Sequence, residues 1–501
     1  MEELSKTLEN FKGGLGLKDF HAELARLEQV VFDLKNQDIK MPLEAERVSL
    51  NPTVHLLPFS SKHQVSLIKH DTEVITEQPQ PQPGEEFILV WKDPVTGEVR
   101  IRPASRDDLI ALKIAVEGID PNEAARIGNT HVSSINALLK HAVEAGILLA
   151  PPSKIKRENG FPRGLGIDES FLTVDVFSLQ WHVTQACDLR CKHCYDRTDR
   201  SQMPLDRAIA VLDDLHDFCR TRFVSGQVSF SGGNPFLYPH LSEIYRAASD
   251  RGLAVAILGN PVGRARLEEI MEIEKPVFFQ VSLEGLKEHN DFIRGAGHFD
   301  RTMRFLDLLR DSGIYSMVML TLTRDNLDQV IPLAGLLNGK TDLFNFNRLS
   351  MVGEGANLRL PSGKEYAAFL GRYLEETGEN PVMGLKDNLI NILRYRKGMD
   401  PFGGCTGHGC GAAFNFVTLL PDGEVHACRK FPSRIGSIFE SSLSEIYDSE
   451  PARRYRAGCR ACSACAIRPV CGGCLAIAYS YELDIFEERD PFCFIDGMAR
   501  V

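Results

Sequence analysis

The segment TQACDLRCKHCYDR, residues 184–197, places Cys187, Cys191 and Cys194 close together. Thiolates at such short spacing bind either zinc or an iron–sulfur cluster. A structural zinc site closes with four ligands, and this loop offers three cysteines. His193 lies inside the loop, where its neighbours turn it away from the same metal. One coordination position therefore stays open, which suits a metal that must also bind something else. A catalytic zinc site is the alternative reading of the same residues.

The residues just upstream, FSLQWHVT, read as a strand, so the thiols sit at its carboxyl end. Further strand-like runs follow as GQVSFSGG, LAVAILGN, PVFFQVSLEG, SMVMLTLT and DLFNFNRLS. Amphipathic stretches such as LDRAIAVLDDLHDFCRTR and FDRTMRFLDLLRDSG separate them. This alternation predicts a parallel sheet with crossover helices. About six strands fall short of a closed eight-stranded barrel. The expected fold class is therefore α/β, with a partial (β/α)6 TIM-like barrel over residues 172–395 and its ligands at the carboxyl ends of the strands.

The C-x3-C-x2-C spacing after a first strand resembles the signature of radical S-adenosylmethionine (SAM) enzymes. The resemblance implies that Cys187, Cys191 and Cys194 hold a 4Fe–4S cluster whose fourth iron is chelated by SAM. One electron then cleaves SAM to a 5′-deoxyadenosyl radical that abstracts hydrogen from substrate, chemistry that belongs to the cofactor. SFSGGNPF resembles the family's Gly-Gly-Glu-Pro segment, which implies SAM contacts at Gly232, Gly233, Asn234 and Pro235; Asn234 departs from the usual Glu. The two glycines suit a place where backbone approaches a ligand closely. QVSLEG and the Arg-Gly-x-Gly element in HNDFIRGAGHFD likewise imply roles for Ser282 near SAM and for Arg294 as an anion-binding partner. Their bland readings are a strand-end cap and a surface ion pair.

A second cysteine array begins at Cys405 and ends at Cys493. It resembles the SPASM extension of radical SAM enzymes that modify peptides and proteins, and is expected over residues 400–501 as an iron–sulfur, cysteine-rich domain. By position, the resemblance assigns Cys405, Cys410, Cys428 and Cys474 to one auxiliary 4Fe–4S cluster. It assigns Cys462, Cys465, Cys471 and Cys493 to another, making three clusters in all. Two departures stand out: Cys471 and Cys474 are separated by Gly472 and Gly473 alone, and Cys459 is surplus. Zinc ribbons use similar C-x2-C pairs and remain the alternative. Cys219, alone on a helix, reads as a buried apolar residue.

Upstream, EQPQPQPGEE (77–86) and PPSKIKRENGFPRGLG (151–166) read as linkers, the second extending to residue 171. Residues 1–76 contain a helical stretch, LKDFHAELARLEQVVFDLK, and strand-like VHLLPFS and VSLIKH; their role is not legible. Residues 85–150 predict a hairpin around DPVTG. Helices follow, the first capped by Ser105 and the second opened by Pro121. This small winged-helix-like α+β module resembles the PqqD-like peptide-recognition element of enzymes that mature ribosomally made peptides. There a leader peptide adds a strand to the sheet edge, which would place it beside ILVWK or EVRIR.

The formal net charge of −11 is spread along the chain, and residues 105–150 are more acidic than basic. That balance argues against nucleic acid as the main partner. No apolar run long enough to span a membrane and no signal-like amino terminus is seen, so a cytoplasmic location is expected. The resulting expectation is a radical SAM maturase that oxidatively modifies or crosslinks a precursor peptide, drawing electrons from a donor such as flavodoxin or ferredoxin. A sulfatase-type, formylglycine-generating maturase is one alternative. A non-enzymatic iron–sulfur or zinc regulator that binds DNA is another.

Overall fold

The computed structural model describes residues 17–36, 47–62, 82–164 and 166–495. The chain divides into two compact units, Met1–Pro152 and Ser153–Val501.

In the first unit, helix Leu17–Asn36 precedes strands β1 (Ser49–Leu50), β2 (His55–Lys62), β3 (Gln82–Lys92) and β4 (Val99–Pro103). Helices Arg106–Glu117, Pro121–Gly128 and Val132–Glu144 follow, and β5 (Leu148–Leu149) pairs antiparallel with β1. Ser105 caps the first of these helices reciprocally with Asp108, and Pro121 opens the second, as the sequence predicts. Strand β3 is central in the antiparallel order β2-β3-β4. Its apolar run FILVW serves two faces by alternation. Ile88 and Val90 pack with Leu27, Leu34, Leu57 and Phe59, whereas Leu89 and Trp91 pack with Ala111, Leu112, Ala142 and Ile147. The hairpin is thus extended by β2, drawn from the segment whose role was illegible. ILVWK is an inner strand, so β4, carrying VRIR, is the edge that remains of the two named candidates. β3 also starts at Gln82, within the stretch expected to be a linker. VSLIKH lies outside the described residues.

The second unit holds strands β6 (Val176–Thr184), β7 (Ser225–Gly232), β8 (Ala254–Leu258), β9 (Phe279–Ser282), β10 (Ser316–Leu322) and β11 (Leu343–Arg348). These six are parallel and adjacent in sequence order. They do not close: the far edge of β6 is taken by β12 (Phe416–Leu419), which runs parallel to it. Antiparallel β13 (Glu424–His426) and β14 (Arg434–Ser437) complete a nine-stranded sheet. The cysteine-rich region therefore shares its sheet with the barrel strands. Trp181, Phe177, Phe230, Phe279 and Phe344 are fully buried in the common core.

The segment read as a linker at 151–171 is tied into this unit from Ser153 onward. Lys156 bridges Thr173, and the buried Arg157 donates to the carbonyls of Arg456, His408 and Cys410 at 2.7, 3.2 and 3.0 Å. Its guanidinium lies 3.8 Å from the centroid of the Phe414 ring. Among the described residues no helix is long and apolar enough to cross a membrane.

Candidate functional site

The carboxyl ends of the parallel strands open into a cavity of about 480 Å³. Its wall combines the 185–197 loop with alternating residues of successive strands: Gln280 and Ser282 from β9, Met319 and Thr321 from β10, Asn347 from β11. A strand turns every second side chain to one face, so polar residues at these spacings meet over the barrel mouth. Cys187, Cys191 and Cys194 all border this cavity, as do Gly232, Gly233, Ser282 and Arg294. Asn234 and Pro235 are buried and do not line it.

Each thiol has a polar neighbour. Leu189 N–H donates to Cys187 Sγ at 3.4 Å, and Asn260 Nδ2 approaches the same sulfur at 3.7 Å. Arg294 Nη1 lies 3.8 Å from Cys191 Sγ, and Cys194 Sγ is 3.3 Å from the Asp196 carbonyl. Burial pushes the Cys187 and Cys191 thiols up, with Leu189 N–H and Arg294 respectively opposing it. Arg294 is not a surface ion pair. Its Nε and Nη2 donate to Glu284 Oε1 at 2.8 and 2.6 Å; the Glu284 side chain is buried and that of Arg294 is 10% exposed. Glu284 Oε2 also accepts Thr321 N–H at 2.7 Å, and His193 Nε2 lies 3.4 Å from Oε1. Burial alone would raise the Glu284 carboxyl, but His193, Arg294 and these hydrogen bonds hold it below its ordinary range.

The glycine pair, which borders the cavity, is also required by the chain's own packing. A Cβ on Gly232, whose φ is +130°, would sit 2.2 Å from the Thr184 carbonyl, and one on Gly233 would sit 2.2 Å from that of Ala186. The close approach is to the chain's own backbone, where Gly233 and Asn234 N–H donate to Thr184 and Ala186. The cysteine loop is thereby pinned to the end of β7. Asn234 has a local explanation too: its Nδ2 donates to Asp188 Oδ1 at 3.0 Å, and Asn260 Nδ2 donates to the same oxygen at 2.6 Å. A Glu at 234 would bring a second carboxylate against Asp188, whereas the amide complements it.

The remaining cysteines surround two further cavities. Cys405, Cys410, Cys428 and Cys474 border one of about 50 Å³, and Cys462, Cys465, Cys471 and Cys493 one of about 280 Å³. The structure thus brings together each group of four that the sequence resemblance had grouped. Cys459 is buried and borders neither; it shares a hydrogen bond with Cys462. Cys219 is buried in the core. Among the described residues no three His, Cys, Asp or Glu side chains close around a single ion; the thiols stand around spaces instead. Two buried atoms on the wall of the large cavity, Ser231 Oγ and His193 Nδ1, have no hydrogen-bond partner. Buried polar atoms are normally paired, so these fit a wall completed by a polar ligand.

Sequence reasoning missed Glu284, although it stands two residues after Ser282 in the quoted QVSLEG. It also missed Arg348, whose signal was a cation at the end of the strand-like run DLFNFNRLS, and Asp490, three residues before Cys493 in RDPFCF. Arg157 and Asp188 carried no local signal.

Residues 181–337 match the radical SAM superfamily and residues 410–474 the SPASM iron–sulfur cluster-binding domain. The AdoMet-dependent heme synthase of Nitratidesulfovibrio vulgaris is 27% identical over 353 residues, covering 63% of this chain and 91% of the relative. The antilisterial bacteriocin subtilosin biosynthesis protein AlbA of Bacillus subtilis is 24% identical, covering 59% and 66% respectively. Streptococcus suis SuiB bound to its precursor peptide SuiA superposes with a TM-score of 0.53 at 16% identity, over 82% of this chain and 96% of that one. That likeness is one of fold. A radical SAM domain and a SPASM domain are therefore present, and the protein is a radical SAM enzyme. It uses SAM and a 4Fe–4S cluster, and its SPASM domain binds auxiliary iron–sulfur clusters.

Proposed function

We propose that the protein matures a ribosomally made precursor peptide, with Cys187, Cys191 and Cys194 holding the SAM-binding cluster. Cys405, Cys410, Cys428 and Cys474 hold one auxiliary cluster, and Cys462, Cys465, Cys471 and Cys493 the other. The observation that carries this reading is the count of thiols at each cavity: three where SAM completes the site, four where protein alone must. When bound, SAM and its cluster supply a 5′-deoxyadenosyl radical that takes hydrogen from a residue of the peptide. The chain supplies position. The Glu284–Arg294 pair braces the Cys191 side of the loop, the glycine pair fixes its start, and Ser282 and Ser231 offer hydroxyls to SAM.

The first unit is proposed to bind the leader segment within residues 85–150, by strand addition along β4. Residues 153–501 are about 70% of the chain, so the 82% matched by SuiB extends into this unit. That extent supports a shared amino-terminal element. A flavodoxin- or ferredoxin-type donor is the proposed electron source. A second reading, modification of a tetrapyrrole, is favoured by the heme synthase relatives, 27% identical over most of their length.

The test is anaerobic reconstitution followed by incubation with SAM, a reductant and either a candidate precursor peptide or a tetrapyrrole. About twelve irons are expected for three 4Fe–4S clusters, with 5′-deoxyadenosine released and a mass change on the peptide. Cys191→Ala abolishes SAM cleavage. A chain beginning at Ser153 still cleaves SAM but leaves the peptide unmodified. Zinc in place of iron with no SAM cleavage overturns the enzyme assignment of these thiols. Turnover of the tetrapyrrole and not the peptide overturns the maturase reading.

A further inference from the structure

Arg348, the last residue of β11, is a cation with its side chain 1% exposed. Nη1 and Nη2 donate to Asp490 Oδ1 and Oδ2 at 2.9 and 2.6 Å, and Nε donates to Asp387 Oδ2 at 2.8 Å. The Tyr366 and Phe492 rings lie 5.3 and 5.5 Å from the guanidinium carbon. A bidentate pair buried to this degree is costly unless its remaining valences are filled. They are filled by the segments that carry cysteines. Asp490 Oδ2 accepts Cys474 N–H at 3.0 Å, Oδ1 accepts Phe492 N–H at 2.9 Å, and the Asp490 carbonyl accepts Cys493 N–H at 2.9 Å. Beside Asp387, Asn388 accepts Cys405 N–H at 2.6 Å and donates to the Gly473 carbonyl at 2.5 Å.

The pair also has a particular place among the cavities. Arg348 borders both the large cavity at the barrel mouth and the small one ringed by Cys405, Cys410, Cys428 and Cys474. Asp490 borders the cavity ringed by Cys462, Cys465, Cys471 and Cys493. One ion pair therefore touches the walls of all three.

We infer that Arg348 and Asp490 are positioning residues that lock the two auxiliary sites to the SAM site and set their reduction potentials together. This rests on the assignment of the thiols proposed above. Residues that hydrogen-bond ligand backbones orient the ligands, and cluster potentials follow nearby charge and hydrogen bonding. Reduction adds negative charge to a cluster. Removing the Asp490 carboxylate while Arg348 stays charged favours the reduced state, and removing Arg348 while Asp490 stays charged disfavours it.

The experiment is a potentiometric titration followed by electron paramagnetic resonance on reconstituted full-length protein, with iron counted for every sample. A wild-type count far below about twelve irons removes the thiol assignment itself and is distinct from failure of this inference. With that count met, Asp490→Asn is expected to raise both auxiliary midpoint potentials and Arg348→Gln to lower both. The double variant restores the net charge of the native cluster, in which Asp387 also faces Arg348, and returns toward wild type. Arg348→Lys keeps the charge but not the fork and serves if Arg348→Gln does not fold; it is expected to broaden both auxiliary signals with small shifts in potential. Loss of iron from both auxiliary sites in either single variant, with the SAM-site signal retained, supports the locking role. Single variants that keep their iron and leave both potentials unmoved overturn the inference. So does a change confined to one auxiliary site, because a shared brace must disturb both.

Discussion

Replacing Glu284 by Gln isolates the contribution of the charge beneath the cysteine loop, because the two side chains have nearly the same shape. In the native protein Oε1 accepts two N–H bonds from Arg294 and Oε2 accepts one from Thr321. A Gln side chain has one acceptor oxygen, so its amide N–H₂ must face a donor on one side. It also leaves the largely covered Arg294 without a counter-charge. Removing one partner of a buried ion pair costs about 3–5 kcal/mol. Unfolding entropy is about 2.1 cal/mol/K per residue; over Ser153–Val501 that cost lowers the melting temperature by about 4–7 °C. Calorimetry of the cluster-free protein reads it directly. The effect has a signature in pH. The Glu284 carboxyl is held below its unfolded value of 4.5, so its stabilisation is fully present above that pH and is lost as pH falls through the lower folded value. The gap between wild type and variant therefore closes in acid. A variant melting within about 1 °C of wild type at neutral pH would refute the reasoning, as would a gap that widens on acidification.

Three other outcomes are expected. Asn234→Glu sets a carboxylate against Asp188; two such groups at hydrogen-bond distance do not both ionise readily, so denaturation shows a stability loss that grows as pH rises, and Asp188→Asn in the same chain relieves it. Cys459→Ser retains about twelve irons whereas Cys462→Ser loses about four, because only Cys462 borders the cavity; equal losses by iron analysis would reverse that assignment. Burial holds His182 and His298 neutral, with folded values of about 3 against an ordinary 6.5. Their contribution is present above pH 6.5 and is lost below it at about 1.4 kcal/mol per pH unit for each; replacing either with Gln flattens the stability profile between pH 6.5 and about 4 in chemical denaturation.

What could be read from the sequence follows from the range of each interaction. The six parallel strands, the Ser105 cap and the Pro121 helix start are set by residues close together in the chain, where periodicity and capping chemistry act. The Cys187, Cys191 and Cys194 spacing is a local pattern too, whereas the grouping of the later cysteines, which pairs Cys474 with Cys405 and Cys471 with Cys493, came from the resemblance and not from spacing. Pairing between distant segments was not. Nothing in VHLLPFS announces that it joins β3, and nothing in FVTL announces that it joins β6. Gly232 and Gly233 were recognised as sites of close approach, but the approach of the 184–186 backbone to them is visible only once β6 and β7 are side by side. Arg157 shows the same limit. In sequence it belongs to a Pro- and Gly-rich stretch, and only the fold places it against the Cys410 carbonyl.

The placement of β12 beside β6 bears on how the protein is made. As the chain leaves the ribosome, β6 and the cysteine loop emerge long before residues 416–419, so the outer edge of β6 waits unpaired while much of the chain is synthesised. An open edge beside an apolar core is a template for pairing with other chains. Truncation near residue 400 would make that temporary exposure permanent. β12 therefore covers an edge that would otherwise stand open, and the expected consequence is that the yield of intact protein depends on how promptly residues 416–419 arrive.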